Sequence, residues 1–518
     1  MTQISIITAN NKMQKEIKLT KSHYLLYLDA PKHLWAYVND KIEKKDVDTF
    51  TQNLFEQGYQ VQEYAKEYIL QYLIPQKYHN TNQYNFELTK SDEFFEIRID
   101  FIIFNAETNK WDIYEIKSTN SIKPIHKRDI TFQYLVLQKH FDIGESYILH
   151  LNKEYERIGK MAIEELFTAT NVSVDIQELI DTVNQERYDA LQIINNPDPT
   201  QIDSCIKPKH CPCINLCHPD LPEHPIYEIR RISGSKSKVA FLESNYGKDI
   251  NNIPSDSILG KNALTTPQRQ QVDVAQSGNT IFEKFNISEM IDSLVFPLYF
   301  IDYESFNPAI PMYERYKPYD QMPFQYSLHI KTDPQSPMIH KEFIETEKVD
   351  PSINLIKAMQ NDICERGSII IWSKFERTQN NAIKRRYPQY TDLIDNMNNR
   401  LWDLMEIFQK NYYLHPDFRG SYSIKKVLPV LVPELTYKNM AISDGSMAMT
   451  KWVQMVYGGG ITATAYSDTE EYESEPVDIA AIEIDRNQKE TIKNDLLRYC
   501  ELDTFAMVKI LDVILEKV

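Results

Sequence analysis

The segment that most constrains this 518-residue chain is Leu298-Tyr299-Phe300-Ile301-Asp302-Tyr303-Glu304, an apolar run that ends in two acids one residue apart. Such a run predicts a buried strand, and period-two alternation puts Asp302 and Glu304 on one face of it. Far downstream, Tyr499-Cys500-Glu501-Leu502-Asp503 reads as helix, and a spacing of four places Tyr499 and Asp503 on a shared face. Converging carboxylates repel one another and belong in a core only with cations between them. The pattern predicts a fold that brings the strand and the distant helix together around such cations.

Between them lies Ile369-Ile370-Ile371-Trp372-Ser373-Lys374-Phe375-Glu376, an apolar strand followed by a small polar residue, an aromatic and an acid. Together the three segments resemble the motifs of the DEDD exonuclease superfamily (RNase D and DnaQ types), in the variant with tyrosine in the last motif. Ser373 stands where the middle motif usually has Asn, and Glu376 where it has Asp. The resemblance implies an RNase H-like domain in which Asp302, Glu304, Glu376 and Asp503 bind two Mg²⁺ or Mn²⁺ ions about 3.5–4 Å apart. Tyr499 would orient the attacking water. Trp402-Asp403-Leu404 resembles the flanking strand of such folds, with Asp403 structural.

Hydrophobic residues make up 42% of the chain and charged residues 25%, an ordinary globular balance. The length predicts roughly two to four domains. A net charge of −17 argues against a general nucleic-acid coat. It leaves room for an acidic active site with local basic contacts, for example Lys384-Arg385-Arg386 or Lys425-Lys426. Each basic run taken alone reads as a solvated face. The polar start, residues 1–20, lacks the apolar stretch of a secretory signal, and no run of 18 apolar residues predicts a membrane span. Six cysteines, four of them between 205 and 217, do not read as a secreted disulfide framework. The expectation is a cytoplasmic α/β protein.

Residues 1–220 read as one α/β domain ending in the cysteines. Residues 221–290 read as a polar, partly helical connector, and 291–518 as a second domain of alternating strands and helices. The acidic stretch 468–478 reads as a loop. In the first domain, 19–37 and 52–73 have helical apolar spacing. Residues 94–104 and 110–116 alternate like strands around the turn-rich 105–109, and 128–140 then 146–151 read as helix and strand. A hairpin would bring Asp100 beside Glu115 and Lys117, which share a strand face. Two carboxylates and a lysine suit metal-dependent phosphodiester hydrolysis: the acids hold Mg²⁺, and the lysine orients water and offsets developing charge. The plain alternative is an exposed ion pair worth about 0–1 kcal/mol.

With Asp129-Ile130-Thr131-Phe132-Gln133-Tyr134 opening the next helix, this order resembles the RecB-like branch of the PD-(D/E)XK nucleases, including CRISPR-associated iron–sulfur nucleases. The resemblance implies a restriction-endonuclease-like domain with Asp100, Glu115 and Lys117 catalytic. It makes Gln133 and Tyr134 supporting residues and Glu63 a further metal ligand, with Glu67 competing for that place. Cys205, Cys211, Cys213 and Cys217 are metal-ligand candidates by proximity. The resembled nucleases hold a [4Fe–4S] cluster with one N-terminal cysteine, and here Asp29-Ala30-Pro31-Lys32 puts Ala30 in that place. Cys213 is an extra thiol; zinc is the alternative and an empty site a third outcome.

Three further phrases, residues 300–311, 323–329 and 420–429, resemble an uncharacterised bacterial family that pairs a RecB-like N-terminal domain with an RNase D-like C-terminal domain. The expected function is a metal-dependent nuclease acting on DNA or RNA by exonucleolytic cleavage at two nuclease-type sites. The competing expectations are a non-catalytic nucleic-acid-binding or scaffold protein with degenerate sites, and a metal-sensing or redox protein built on the cysteines.

Overall fold

In a computed structural model the chain divides into two compact units. One comprises residues 1–44, 61–153 and 162–219; the other comprises 45–60, 154–161 and 220–518. The structure describes residues 17–42, 49–254, 260–438, 440–458 and 485–518. The stretch 468–478, expected as a loop, lies outside them, as do residues 1–16 of the polar start. Both units are mixed α/β. No helix among the described residues is long and apolar enough to cross a membrane.

Among the described residues the first unit is built on a six-stranded sheet. Its strands are β1 (Leu19–Thr20), β2 (Tyr84–Ser91), β3 (Phe95–Asn105), β4 (Lys110–Lys117), β5 (Ile143–Leu151) and β6 (Phe167–Asn171). The expected hairpin is β3–β4, antiparallel, with Phe101 opposite Tyr114 and Phe104 opposite Trp111. β5 runs parallel to β4. A parallel neighbour needs a crossover, and the helix Pro124–Leu137 supplies it. Phe95, Ile97 and Ile99 of β3 pack with Phe132 and Val136 of that helix and with Ile176 and Val183 of the helix Ser173–Ile194. The helical spacing of 19–37 resolves into two helices, Lys21–Asp29 and Pro31–Val38. Ala30 between them is extended (φ −158°, ψ 135°), because the ring of Pro31 disfavours a helical residue before it.

The second unit contains β7 (Ile281–Phe282), β8 (Leu298–Phe306), β9 (Met322–Lys331), β10 (Ile339–Ile344), β11 (Ser368–Ile371), β12 (Leu401–Asp403) and β13 (Tyr413–Leu414). Five of these form a sheet in the order β10-β9-β8-β11-β12. β8 is antiparallel to β9, β9 to β10, and β8, β11 and β12 run parallel; β7 and β13 pair separately. β8 is buried on both faces, which explains its unbroken apolar run. Tyr299, Ile301 and Tyr303 pack with Leu355, Ile356, Met359 and Ile383. Leu298 and Phe300 pack instead with Met507, Ile510 and Ile514 of the helix Arg486–Lys517. Residues 221–290 lie in this unit. They carry the helices Lys236–Tyr246, Thr266–Ser277 and Lys284–Ile291 and bury Ile226, Val239, Leu242, Ile250 and Val272.

Candidate functional site

Asp302 and Glu304 continue the row of Leu298 and Phe300 on β8, so they face the helix Arg486–Lys517 where its apolar contact gives way to Tyr499 and Asp503. Ligand oxygens of Asp302, Glu304 and Asp503 all lie within 4.8 Å of one another. Glu304, Asp503 and Tyr499 are buried. Glu376 stands in the first turn of the helix Phe375–Arg386, behind β11. It lies outside that tightest set but within electrostatic reach of Asp302 and Glu304. It is only 2% exposed, and its Oε2 has no hydrogen-bond partner among the described residues.

Burial holds Asp302 well above the usual carboxylate range, and Asp503, Glu376 and Glu304 push it further. Glu304 is pushed up to about 8 by burial and by Asp503. Glu376 also rises to about 8, through burial and then the charge of Asp403. Burial raises Asp503 to about 6, against the opposing effects of hydrogen bonds from Tyr437 and Tyr499 and the charge of Lys425. Among the described residues these four carboxylates gather with the Lys425 ammonium beside them. This arrangement favours cations.

One member of this site was not expected. Tyr437 donates to Asp503 Oδ1 at 2.6 Å. Lys425 donates to the Tyr499 hydroxyl at 3.0 Å and to the Ser443 carbonyl at 2.8 Å. Lys425, expected either as a local basic contact of an acidic site or as part of a solvated face, is turned toward the acids. In the run Lys384-Arg385-Arg386, Lys384 pairs at the surface with Asp395 at 2.6 Å and Arg385 with Asp320 at 2.8 Å, while buried Arg386 covers the Tyr316 ring. Asp403 ends β12 and accepts from the Met405 N–H, a structural contact.

In the first unit the β3–β4 register brings Asp100 beside Glu115, and the Ile116 N–H donates to Asp100 Oδ2 at 2.7 Å. Lys117 donates to Glu115 at 2.8 Å and to Asp129. Gln133 donates to Glu115 at 2.8 Å and to Asp129 at 3.0 Å. Asp100, Glu115, Lys117 and Gln133 therefore converge. Lys21, at the start of the helix Lys21–Asp29, was not foreseen; it donates to Glu115 at 2.7 Å. Asp129 was read as part of a motif but not as a member of the site. Burial works to raise Glu115, but Lys117 and Lys21 outweigh it and hold it down at about 2. Asp100 rises to about 7 through burial and the neighbouring Glu115.

Glu63 is not in this cluster. On the helix Thr49–Tyr68 the buried stripe is Val61, Ala65 and onward to Ile69. Glu63 lies two residues from both stripe members, on the far side of the helix. Its side chain is 70% exposed and pairs with Lys66 at 3.1 Å. The expected extra ligand is therefore a surface ion pair. Glu67 pairs with Gln71 one turn on.

The cysteines do gather, with an unforeseen partner. Ligand atoms of His33, Cys211, Cys213 and Cys217 all lie within 4.8 Å of one another. Cys205 lies outside this set, with its sulfur 3.5 Å from His218 Nε2 and hydrogen-bonded to Cys217. Ala30, in the place of the expected N-terminal cysteine, packs in the same cluster as Cys205, Cys213 and Cys217. Hydrogen bonds from Cys205, then from Cys213 and His33, draw the Cys217 thiol far below its ordinary range. These residues, like Asp302, Glu304 and Asp503, form a group that could hold a metal ion.

A family model described as a domain of unknown function (DUF2779) matches residues 299–423. The match spans Asp302, Glu304 and Glu376 and stops short of Tyr499 and Asp503. No curated protein and no solved structure matches the chain.

Proposed function

We propose that this protein is a metal-dependent nuclease that hydrolyses phosphodiester bonds of nucleic acid, with its principal active site in the second unit. The observation that carries this reading is the convergence of Asp302, Glu304 and Asp503 within 4.8 Å, with Glu376 behind them and the Lys425 ammonium beside them. The strand order β10-β9-β8-β11-β12 supports an RNase H-like fold, with the first three strands antiparallel and the last two parallel to β8. The acids would hold Mg²⁺ or Mn²⁺, and the ions would activate water and offset charge on the leaving oxygen. Tyr499, its hydroxyl held by Lys425, is placed to orient that water. Tyr437 fixes the Asp503 carboxylate.

The αβ order of the first unit, with a β3–β4 hairpin, crossover helix and parallel β5, supports a PD-(D/E)XK-like fold for it. Its site favours a second reading, the non-catalytic one. Three carboxylates, Asp100, Glu115 and Asp129, there face two ammoniums, Lys21 and Lys117. The lysines already supply most of the positive charge that a cation would bring.

The test is digestion of end-labelled single- and double-stranded DNA and RNA with Mg²⁺ or Mn²⁺. Lys117→Ala should digest much as the unmodified protein does. Adding Asp302→Asn in that background should lower the rate by about 10²-fold or more. If the double variant digests as fast as Lys117→Ala alone, β8 is not catalytic. If no substrate is cut by the unmodified protein, the binding or scaffold reading takes its place.

A further inference from the structure

His33, Cys211, Cys213 and Cys217 come from two places in the chain. His33 lies on the helix Pro31–Val38, and the cysteines on the segment after the helix Ser173–Ile194. The two places are docked by more than sulfur: the Lys32 N–H donates to the Asp203 carbonyl at 3.2 Å and Lys32 Nζ to Ser204 Oγ at 3.0 Å. His33 is 2% exposed. Its Nδ1 is held by the Asp29 carboxylate at 2.7 Å, one helical turn back, and its Nε2 points at Cys211 Sγ, 3.3 Å away. A carboxylate on one ring nitrogen fixes the tautomer and aims the other, which is how metal-ligating histidines are oriented.

The distances discriminate between kinds of metal centre. Around one tetrahedral ion with metal–sulfur bonds of about 2.3 Å and metal–nitrogen bonds of about 2.0–2.1 Å, sulfurs stand about 3.8 Å apart and sulfur and nitrogen about 3.6 Å apart. Here Cys213 Sγ and Cys217 Sγ are 3.7 Å apart, beside the 3.3 Å of the His33–Cys211 pair. In a [4Fe–4S] cluster each cysteine binds a different iron, so the sulfurs are spread around a four-metal body. Donors gathered within 4.8 Å do not fit that body, and Ala30 offers no thiol to it.

We infer that His33, Cys211, Cys213 and Cys217 form a mononuclear tetrahedral site for a zinc-class divalent ion, with Asp29 as the positioning residue for His33. Each of the three thiols gives up its proton as it ligates. Cys205 stands beside the four donors, outside their set, with its thiol hydrogen-bonded to Cys217 and to Cys211. The site ties the N-terminal helices to a segment 178 residues away, measured from His33 to Cys211. It needs no open coordination position, so its role is structural. The inference is independent of the nuclease reading, because its test reads metal and not activity.

The experiment is metal and sulfide analysis of the full chain purified without oxygen, followed by exchange of the native metal for Co²⁺. About one zinc per chain, no labile sulfide, and the visible absorption of tetrahedral thiolate-ligated Co²⁺ are expected. Asp29→Asn should weaken metal affinity about 10–100-fold. His33→Ala should lose the ion. His33→Cys should keep it, with a Co²⁺ spectrum shifted towards that of four thiolates, and this variant guards against a simple folding failure of His33→Ala. Cys205→Ser should keep full stoichiometry. Iron with sulfide, or no metal, in the unmodified protein would overturn the assignment whatever the variants do. So would a His33→Ala protein that keeps its zinc while Cys205→Ser loses it.

Discussion

Glu376 is the acid of the second-unit site least satisfied by its surroundings. Its buried Oε2 lacks a partner among the described residues and its proton is held to about pH 8 by burial and Asp403. The unfolded chain would release that proton near pH 4.3. Without metal the folded protein therefore favours the neutral acid, and ionising it at high pH costs stability. Glutamine mimics the neutral form. In a chelator, Glu376→Gln should match the unmodified protein in urea denaturation at about pH 4, below the unfolded value, and gain on it as pH rises through about 8. At pH 9 it should be more stable by about 1–3 kcal/mol; equal midpoints at pH 9 would mean that Glu376 is not strained there. What was legible at this scale was what lies within one element. Alternation put Asp302 beside Glu304, helical spacing put Tyr499 beside Asp503, and a strand pair put Asp100 beside Glu115. Lys21, Tyr437 and His33 were not legible, because each reaches its site across a tertiary contact from a segment with no chemical motif of its own. For His33 a signal was present: Asp29 and His33 stand four apart, one helical turn, beside the position where a thiol was expected.

Among the elements, β8 and β11 approach closely at one glycine. Gly367 has φ +95°, and a Cβ there would lie 2.2 Å from the Pro297 carbonyl oxygen. The backbone of the segment entering β11 thus has to pass the start of β8 with no side chain between them. Gly367→Ala should destabilise the second unit by about 2 kcal/mol or more, through both the clash and the positive φ. Thermal unfolding checks it, and a loss below about 0.5 kcal/mol would show that the two strands can shift apart freely. Strands with strong periodicity were legible: β3, β4, β5, β8 and β11 all fall where apolar runs or alternation put them. β2 was missed although Tyr84, Phe86 and Leu88 alternate, since Asn85, Glu87 and Lys90 dilute the apolar signal in a strand that, among the described residues, pairs with β3 alone. β6 is short, five residues of Phe167–Asn171 with two threonines, and is defined by its pairing with β5 more than by composition. The polarity of 221–290 read as a connector because its buried residues are spread among 3₁₀ turns and short helices, where no single period repeats.

Across the whole molecule the two acid sites differ in charge balance, and this difference predicts different responses to metal. In the first unit Lys21 and Lys117 neutralise Glu115 directly, so an added cation must compete with ammoniums already in place. In the second unit burial raises Asp302, Glu304 and Glu376 above the usual carboxylate range, with Asp503 pushing Asp302 and Glu304 further and Asp403 pushing Glu376. The sign follows from proton binding. Folded values above the unfolded ones mean that the folded state binds extra protons, so the stability they bring is complete below about pH 4.3. It is lost as pH rises through about 8. Divalent cations replace those protons, and they bind the folded state more tightly once the acids are ionised. Mn²⁺ should therefore stabilise the second unit little at pH 5.5 and by about 2–3 kcal/mol at pH 8.5 when present at about 100 times its Kd. Hydrogen exchange followed by mass spectrometry reads the two units separately. At pH 8.5 Mn²⁺ should slow exchange in β8 and the helix Arg486–Lys517 while leaving β3 and β4 nearly unchanged. Equal protection of both sheets would mean that Lys21 and Lys117 yield to the ion, and the first unit would regain its claim to a metal-dependent site. Protection of neither would remove the cation site on which the nuclease reading rests.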